Sequence, residues 1–186
     1  MRAEGPSSAQ LWHTVEAQSE AIYCYFRRLG VDAIGAEDLT QEALLTAWQA
    51  LGRLRHSGKI RSWLYGIAYR VYLKRRETAR KEGSEFPIEE VAGPDGDPGD
   101  DRHLASRAVR DAVQRLPDTY RHPLLLVYWE ELSYLEAARA LSLPLGTLAW
   151  RVHTGLKLLR EALSEKGLAN VSAEKDAGVA DQVSET

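Results

Sequence analysis

The sequence predicts an all-α protein made of two small helical domains joined by a flexible acidic linker. Apolar residues recur with helical spacing along most of the chain, and no stretch shows the sustained alternation of a β-strand. The segment GSEFPIEEVAGPDGDPGDD, from Gly83 to Asp101, interrupts this pattern. It has too few large apolar residues to offset the entropy of ordering it, so we place the domain boundary there.

The first domain, residues 1–82, is predicted to hold three helices. The first runs from about Ser8 to Leu29 and the second from about Ala36 to Leu54. The apolar stripe of the second helix includes Trp48, and its acidic residues lie off that stripe. After a loop from Arg55 to Ile60, the third helix spans about Ser62–Lys81 and is aromatic in its first half and basic in its second.

The second domain, residues 103–163, follows a linker over residues 83–102. Helices are predicted at about His103–Arg115 and Asp118–Glu130, with Pro117 at the start of the latter and Pro123 early within it. A capping box, Ser133-Tyr-Leu-Glu136, opens a short helix to about Ala140. A turn at Leu141–Pro144 then leads into a helix from about Leu145 to Leu163, and residues 164–186 are predicted to be a disordered tail.

Composition and cysteine count restrict the class of protein. Of the 186 residues 44% are hydrophobic and 27% charged, which is typical of a soluble globular protein. No apolar run reaches the roughly 18–20 residues of a membrane span, and the N-terminus lacks the apolar core of a signal peptide. Cys24 is the single cysteine. We therefore expect a cytoplasmic protein with no internal disulfide, no metal site and no cofactor.

Charge is unevenly distributed although the net charge is only −3. From Gly52 to Glu82 there are ten Lys and Arg against two Glu. From Gly83 to Leu104 there are seven Asp and Glu against one Arg, and the tail from Ser164 is also acidic. A basic helix of this kind neutralises nucleic-acid phosphates, so the pattern favours nucleic-acid binding by the first domain.

No arrangement of residues typical of catalysis is found. The sequence has no G-x-S-x-G, Walker loop, H-E-x-x-H or C-x-x-C, and its five histidines are scattered. We interpret those histidines, and Cys24, as structural or solvated residues. The sequence thus predicts a protein that is not an enzyme.

Three features carry functional information, and each also has a purely structural interpretation. Glu37–Trp48 is either an amphipathic core helix or a docking face on which Asp38, Gln41 and Glu42 lie within one turn. The third helix is either a core helix with a charged end or a surface that stacks and holds unpaired bases. The last two helices are either an ordinary hairpin or a DNA-binding helix-turn-helix, and the tight turn with Pro144 and Gly146 favours the latter.

Together, three blocks in this order resemble the extracytoplasmic-function (ECF) family of bacterial RNA polymerase sigma factors. AEDLTQEALLTAW resembles the family pattern D-A-E-D-L-x-Q-E-x-F-x-x-A-W. IRSWLYGIA resembles F-R-T-W-L-Y-R-I-A. RLPDTYRHPLLLVYWEELSYLEAARALSLPLGTLAWRVH resembles R-L-P-x-x-Y-R-x-P-L-x-L-x-Y-x-E-G-L-S-Y-x-E-I-A-x-x-L-G-I-P-x-G-T-V-x-x-R-L-H. The resemblance covers the chain up to about Leu163.

The resemblance implies a function without an active site of its own. The first domain would be sigma region 2, which docks on the polymerase core, recognises the −10 promoter element and helps to melt it. The second would be region 4, whose last helix enters the major groove at the −35 element. The linker would lie near the RNA exit channel. The implied partners are the polymerase core, through its β′ clamp helices and β flap, promoter DNA, and an anti-sigma factor that clamps the two domains.

The resemblance also assigns residues to these roles. Core docking is expected of Asp38, Gln41, Glu42 and Leu45. Binding and melting of the −10 element is expected of Arg55, Lys59, Arg61, Ser62, Trp63, Tyr65, Arg70, Lys74, Arg75 and Arg76. Contact with the −35 element is expected of Pro144, Gly146, Thr147, Ala149, Trp150, Arg151, His153, Thr154 and Lys157.

Several positions depart from the family pattern. Gly66 stands where Arg is usual, which removes a cation and weakens the helix by roughly 1 kcal/mol relative to Ala. Arg70 stands where Asn is frequent, so the preferred −10 base is expected to differ. Ser142 replaces a turn glycine that favours positive φ, and a slightly rearranged turn is expected. Ala149, Trp150 and Thr154 replace frequently polar or basic residues, which favours apolar and shape readout at −35.

Two other functions fit parts of the sequence. The weakly basic stretch Leu145–Leu156 is compatible with a sigma-like mimic that sequesters an anti-sigma factor without binding DNA, although such a mimic needs no basic third helix. A two-domain regulator that acts without polymerase would not need the Asp38, Gln41 and Glu42 face.

Overall fold

The computed structural model describes residues 8–53, 59–84, 86 and 101–164, and within them it confirms the all-α fold. The first domain contains α1 (Ser8–Glu16), α2 (Ser19–Arg28), α3 (Ala33–Ala50), a 3₁₀ turn (Leu51–Arg53) and α4 (Ile60–Glu82). The second contains α5 (Asp101–Arg115), α6 (Asp118–Leu124), a π-helical turn (Leu125–Trp129), α7 (Tyr134–Ala140) and α8 (Leu145–Ser164). The Arg55 loop, most of the predicted linker and nearly all of the predicted tail lie outside the described residues.

The predicted first helix is two helices, and here the sequence prediction was wrong. Ala17 and Gln18 form a turn between α1 and α2. Neither Gly nor Pro marks the break, and Gln18 makes no side-chain cap, so no local signal distinguishes this turn from continuing helix. The buried residues Val15 and Ile22 lie on either side of it, and both still face the core.

The other helices of the first domain begin and end at recognisable capping residues. Asp32 accepts a hydrogen bond from the Gly35 backbone N–H at 2.6 Å, so α3 begins at Ala33 rather than near Ala36. Gly30, with φ of 90°, lets the chain reverse between α2 and α3. Gly83, with φ of 66°, ends α4 in the left-handed conformation.

The segment predicted as one helix over Asp118–Glu130 changes its hydrogen-bonding pattern midway. After α6, residues Leu125–Trp129 form a π-helical turn, and Glu130 N–H donates to the Leu125 carbonyl at 3.0 Å. Pro123, buried inside α6, supplies no N–H to the ladder just before this widening. The π turn holds one more residue per turn than an α-helix and so determines where Glu130 points.

The helix-turn-helix is built by two capping motifs. At the start of α7 the Ser133 hydroxyl accepts from the Glu136 N–H, and the Glu136 carboxylate accepts from the Ser133 N–H at 2.9 Å, which confirms the predicted capping box. At its end Leu143 N–H donates to the Ala138 carbonyl at 2.9 Å, and Ser142 N–H donates to the Arg139 carbonyl at 3.2 Å. This is a Schellman motif with Ser142 at the left-handed position, φ of 54°. The expected rearrangement of the turn is not observed.

Gly155 brings helix α8 close to α6. A Cβ built on Gly155 would lie 2.8 Å from Leu124 Cδ1 and 3.2 Å from Tyr120 Cβ. The rest of the inward face of α8 is apolar and buried, and it includes Leu148, Val152 and Leu159 as expected from the sequence. The opposite face of α8 therefore stays outward.

The two domains share one hydrophobic core in this structure. Residues of α2 and α4 pack against residues of α6 and α7 as part of a single buried cluster. The sequence predicts two units separated by a linker, and their direct contact is a structural finding that the sequence did not indicate. Among the described helices, none is long and apolar enough to cross a membrane.

Candidate nucleic-acid interface

The predicted docking face of α3 is exposed and mixed in character. Asp38, Gln41 and Leu45 are exposed and Glu42 is half-buried. The Glu42 carboxylate accepts from Lys74 of α4 at 3.1 Å, so an acid of this face is held by a cation of the predicted DNA surface. Leu45 is 58% exposed. A surface that combines acidic and apolar side chains suits a protein partner rather than nucleic acid.

Trp48 extends this face, and the prediction that it belongs to the buried stripe of the helix was wrong. Its side chain is 54% exposed, and its ring meets Trp12 edge-on with centroids 4.9 Å apart. The helical period put Trp48 in line with Ala43 and Ala47, which are fully buried. Large exposed apolar residues next to Leu45 were the signal that sequence reasoning missed, because exposure depends on which neighbouring helix covers the stripe.

The outward face of α4 carries a row of cations. Arg70, Lys74 and Arg75 are exposed and lie within about one and a half turns of the helix. Arg76 forms an ion pair with Asp118 of the second domain. Such a row offers several positive charges to a phosphate backbone.

The start of α4 gathers the remaining described residues assigned to −10 binding. Lys59 and Arg61 are exposed and Trp63 is half-buried. Ser62 is buried, and its hydroxyl donates to the Lys59 carbonyl at 3.1 Å, which is a local bond that stabilises the first turn. Arg55 lies outside the described residues.

The aromatic residues of α4 mostly face inward. Tyr65 and Tyr72 are buried, and the rings of Tyr69 and Tyr72 pack edge-on against His122 of α6, with centroids 4.8 and 5.0 Å away. Burial and the hydrogen bond to Glu130 raise the pKa of Tyr65, so its hydroxyl stays protonated and donates to that carboxylate. Tyr65 therefore cannot stack on bases in this arrangement. The observed contacts of these buried tyrosines are those of a core helix, which is the purely structural interpretation of the third helix.

Polar residues at the domain boundary are the functional candidates that sequence reasoning missed. His122 and Glu130 are buried, and Arg121 is 6% exposed. Burial, together with Arg121 and Arg76 nearby, lowers the pKa of His122 to about 3, so this imidazole is neutral at physiological pH. Buried polar residues are recognisable only from tertiary contacts, and nothing in the sequence pairs His122 with the tyrosines of α2 and α4.

The helix-turn-helix presents an exposed edge at the start of α8. Pro144, Gly146, Trp150, His153 and Lys157 are exposed. The remaining residues assigned to −35 contact are half-buried, and they are Thr147, Ala149, Arg151 and Thr154. Trp150 is 57% exposed, and its ring meets Tyr120 with centroids 6.0 Å apart. An outward indole and imidazole within the first three turns of a recognition helix can reach base edges and sugars in a major groove.

Known proteins of one family match most of this chain. The chain matches the family model for sigma-70 region 2 over residues 14–82 and that for sigma-70 region 4 over residues 106–159. The ECF RNA polymerase sigma factor SigW of Bacillus subtilis is 31% identical over 168 residues, which cover 81% of this chain and 87% of SigW. The RNA polymerase sigma-H factor of Pseudomonas aeruginosa is 32% identical over 71% of this chain and 75% of its own length.

Solved structures share the fold. Sigma factor RpoE, crystallised with the anti-sigma factor NepR from Bartonella quintana, superposes with a TM-score of 0.67 at 24% identity and covers 82% of this chain and 95% of RpoE. CnrH, in complex with the cytosolic domain of CnrY, gives a TM-score of 0.61 at 20% identity and covers 86% of this chain and 90% of CnrH.

A helical domain with an exposed acidic and apolar face and a basic helix, followed by a helix-turn-helix domain, together with these matches, defines a transcription initiation factor of the sigma-70 class. Within that class, the chain belongs to the ECF family of RNA polymerase sigma factors. It therefore directs RNA polymerase to promoters, and the function predicted from the sequence is confirmed at this level.

Proposed function

We propose that the two domains divide promoter recognition between them. Residues 1–82 dock on the polymerase core through the α3 face, and they hold the melted −10 strand along the start and outward face of α4. Residues 103–163 read the −35 element with α8. The observation that carries this division is the outward edge of α8, where Trp150 and His153 are exposed while Leu148 and Val152 are fully buried.

The −10 role rests on the chemistry of α4. Exposed cations at Arg70, Lys74 and Arg75 hold phosphates without reading sequence, because their charges attract any nucleic-acid backbone. Trp63 is half-buried close to the start of the same helix and offers the aromatic face that an unpaired base stacks on. Promoter melting then follows from trapping unpaired bases, with the chemical reaction supplied by polymerase.

The −35 role relies on shape and apolar contact more than on charge. Arg151 and Lys157 position the helix against phosphates, and His153 donates to a base edge or phosphate. Trp150 and Ala149 contact thymine methyl groups or sugars. The altered residues of α8 therefore change which bases it prefers.

An anti-sigma factor is the proposed regulator. The solved structures of RpoE and CnrH each contain another protein, the anti-sigma factor NepR and the cytosolic domain of CnrY, respectively. By analogy, an equivalent partner would bind this chain and hide its DNA surfaces. Co-expression of the chain with candidate partners, followed by loss of transcription in vitro, tests this proposal.

Run-off transcription with core polymerase on a genomic promoter library tests the division of roles. The wild-type chain should yield discrete transcripts whose upstream sequences define both elements. The double variant Gln41→Ala, Glu42→Lys should lose transcription together with core binding, whereas the matched charge change Glu20→Lys, on exposed α2 surface, should retain both. Core binding without any transcript from the wild type would contradict the promoter role and favour the mimic.

A further inference from the structure

The first and second domains approach each other at Gly66 of α4. A Cβ built there would lie 3.0 Å from the Ala140 carbonyl oxygen and 3.4 Å from the Ala140 Cα, at the end of α7. Glycine inside a helix costs about 1 kcal/mol relative to alanine. A side chain at this position, such as the Arg of the family pattern, would require the Ala140 backbone to move away by a few tenths of an ångström or more, so Gly66 favours the close approach.

Glu130 collects hydrogen bonds from three residues of the first domain. Its carboxylate accepts from the Tyr65 hydroxyl and from Arg28 Nη1, the latter at 2.6 Å. Its backbone carbonyl accepts from Arg61 Nη2 at 2.7 Å. Glu130 is only 4% exposed, and a buried carboxylate is tolerated only when such partners replace water. The contact is therefore a specific one and not a loose collapse of two surfaces.

A second polar group closes the same boundary at α6. The Tyr25 hydroxyl lies 2.7 Å from His122 Nδ1, and Arg121 Nη1 donates to the Leu29 carbonyl at 3.1 Å. Arg76 of α4 pairs with Asp118, which also pairs with Arg121. Gly66, Glu130 and this group lie along one continuous interface between α2 and α4 on one side and α6 and α7 on the other.

We propose that this interface is a closed state of the free chain, in which the second domain occupies part of the surface that holds the −10 strand. That the second domain masks the strand-binding surface rests on the proposed role of α4. That the two domains are closed does not depend on this role. Of the residues assigned to that strand, Tyr65 is 1% exposed, and Arg61 and Arg76 are bonded to residues of the second domain. The melted strand and the second domain then compete for the same side chains.

The closed state leaves other surfaces available. Arg70, Lys74 and Arg75 remain exposed, and so do Trp150 and His153 on α8. Duplex binding through α8 is therefore unaffected by closure, and the strand-binding surface becomes complete only when the domains separate. Strand capture thus favours the open form, because a ligand shifts a conformational equilibrium by its differential affinity for the two states.

Closure itself is tested without any nucleic acid. Dyes are placed on cysteines introduced at exposed Glu20 and Glu161 in a full chain with Cys24→Ser, and energy transfer is measured. Gly66→Gln inserts an uncharged side chain against Ala140 and should lower the transfer efficiency. Gly52→Gln is the matched control, because a Cβ at Gly52 meets nothing within 4 Å. Equal efficiency in Gly66→Gln and Gly52→Gln overturns the closed state.

A second pair of variants applies should Gly66→Gln lose helicity by circular dichroism. Glu130→Gln removes the charge that Arg28 and Tyr65 hold, and it should also lower the transfer efficiency. Glu131→Gln is its control, since Glu131 is the exposed neighbour. An unchanged transfer efficiency in Glu130→Gln would show that the hydrogen bonds of Glu130 do not hold the domains closed.

Masking is tested with a fluorescent single-stranded 20-nucleotide DNA of random sequence. If about nine molecules in ten are closed, opening by Gly66→Gln should strengthen strand binding about tenfold. An opened variant that binds no tighter than wild type overturns masking while leaving closure intact. If no variant binds the single-stranded DNA, both the proposed −10 surface and its masking are contradicted. The energy-transfer measurement then still shows whether the two domains are closed.

Discussion

The Tyr25 hydroxyl lies 2.7 Å from Nδ1 of His122, and these two residues, 97 positions apart in sequence, join the two domains of the protein. His122 is faced by Tyr25 from α2, by Tyr69, Tyr72 and Arg76 from α4, and by Arg121 from its own helix. Among the described residues that contact the imidazole none is a carboxylate, and the cations Arg121 and Arg76 disfavour the imidazolium.

We expect the free energy of unfolding to decrease as the pH is lowered, because of His122. In the folded protein its pKa is about 3, whereas in the unfolded chain it is near 6.5, so between these values the unfolded state binds the extra proton. Stability from this group is complete well above pH 6.5 and is lost as pH falls, by at most about 1.4 kcal/mol per unit while the domains stay closed. Because opening of the domains also exposes His122, the free energy of unfolding in urea should fall between pH 6.5 and pH 5 by about 1 kcal/mol more in wild type than in His122→Gln.

The control for this pH effect is His153→Gln, which removes an exposed histidine. It should leave the pH dependence of the wild type unchanged. An identical fall in stability for wild type and His122→Gln would show that carboxylates elsewhere, and not His122, carry the acid sensitivity.

Ser142→Gly should stabilise the second domain. Ser142 adopts φ of 54° at the end of α7, a conformation that costs an L-residue roughly 1–2 kcal/mol and glycine little. Allowing for the greater freedom of glycine in the unfolded chain, we expect a gain of about 1 kcal/mol in the free energy of unfolding. Ser133→Ala, which removes the cap of the same helix, should cost about 1 kcal/mol. A loss of stability in Ser142→Gly would contradict the left-handed turn.

Leu45→Ser should weaken binding to the polymerase core in the absence of DNA. Leu45 is 58% exposed, so the change removes an apolar contact without opening the core of the protein. Loss of about 1–2 kcal/mol corresponds to roughly five- to thirtyfold weaker binding in a titration with labelled core. Leu73→Ser on α4, also an exposed leucine, is the control and should bind normally. Equal affinities of wild type and Leu45→Ser for the polymerase core would show that Leu45 is not part of the docking face.

Trp150→Ala should reduce discrimination at the −35 element. Each lost base contact is worth about 1–3 kcal/mol, so competition between consensus and mutated −35 duplexes should become flatter. Lys157→Ala should instead weaken binding to all sequences alike and reduce its salt dependence, because phosphate contacts position without specifying. A promoter preference that survives Trp150→Ala unchanged would exclude this side chain from base reading.

The sequence was sufficient for the helices whose ends are marked by local chemistry. The capping box at Ser133 and the periodic burial of Leu148 and Val152 were predictable because they depend on residues within one or two turns. The turn at Ala17–Gln18 and the π turn at Leu125–Trp129 were not, since no glycine marks the first and Pro123 indicates only a small kink near the second.

The candidate site was predictable in its outward residues and not in its inward ones. Exposed cations such as Arg75 follow from charge and helical period. Tyr65, in contrast, has the same period whether it stacks on a base or on a neighbouring helix, and only the contact with Glu130, 65 residues away, distinguishes the two. Gly66 was interpreted as a weakened helix position, and its close approach to Ala140 required the tertiary structure.

The π-helical turn at Leu125–Trp129 also sets the direction of the chain that follows it. Such a turn is an α-helix with one residue inserted, and removing one residue would rotate everything that follows by about 100° about the helix axis. Glu130 would then leave the first domain, although no residue of α4 or α8 had changed. Deletion of one residue at this point would therefore separate Glu130 from its partners in the first domain without changing any residue of the proposed DNA surfaces.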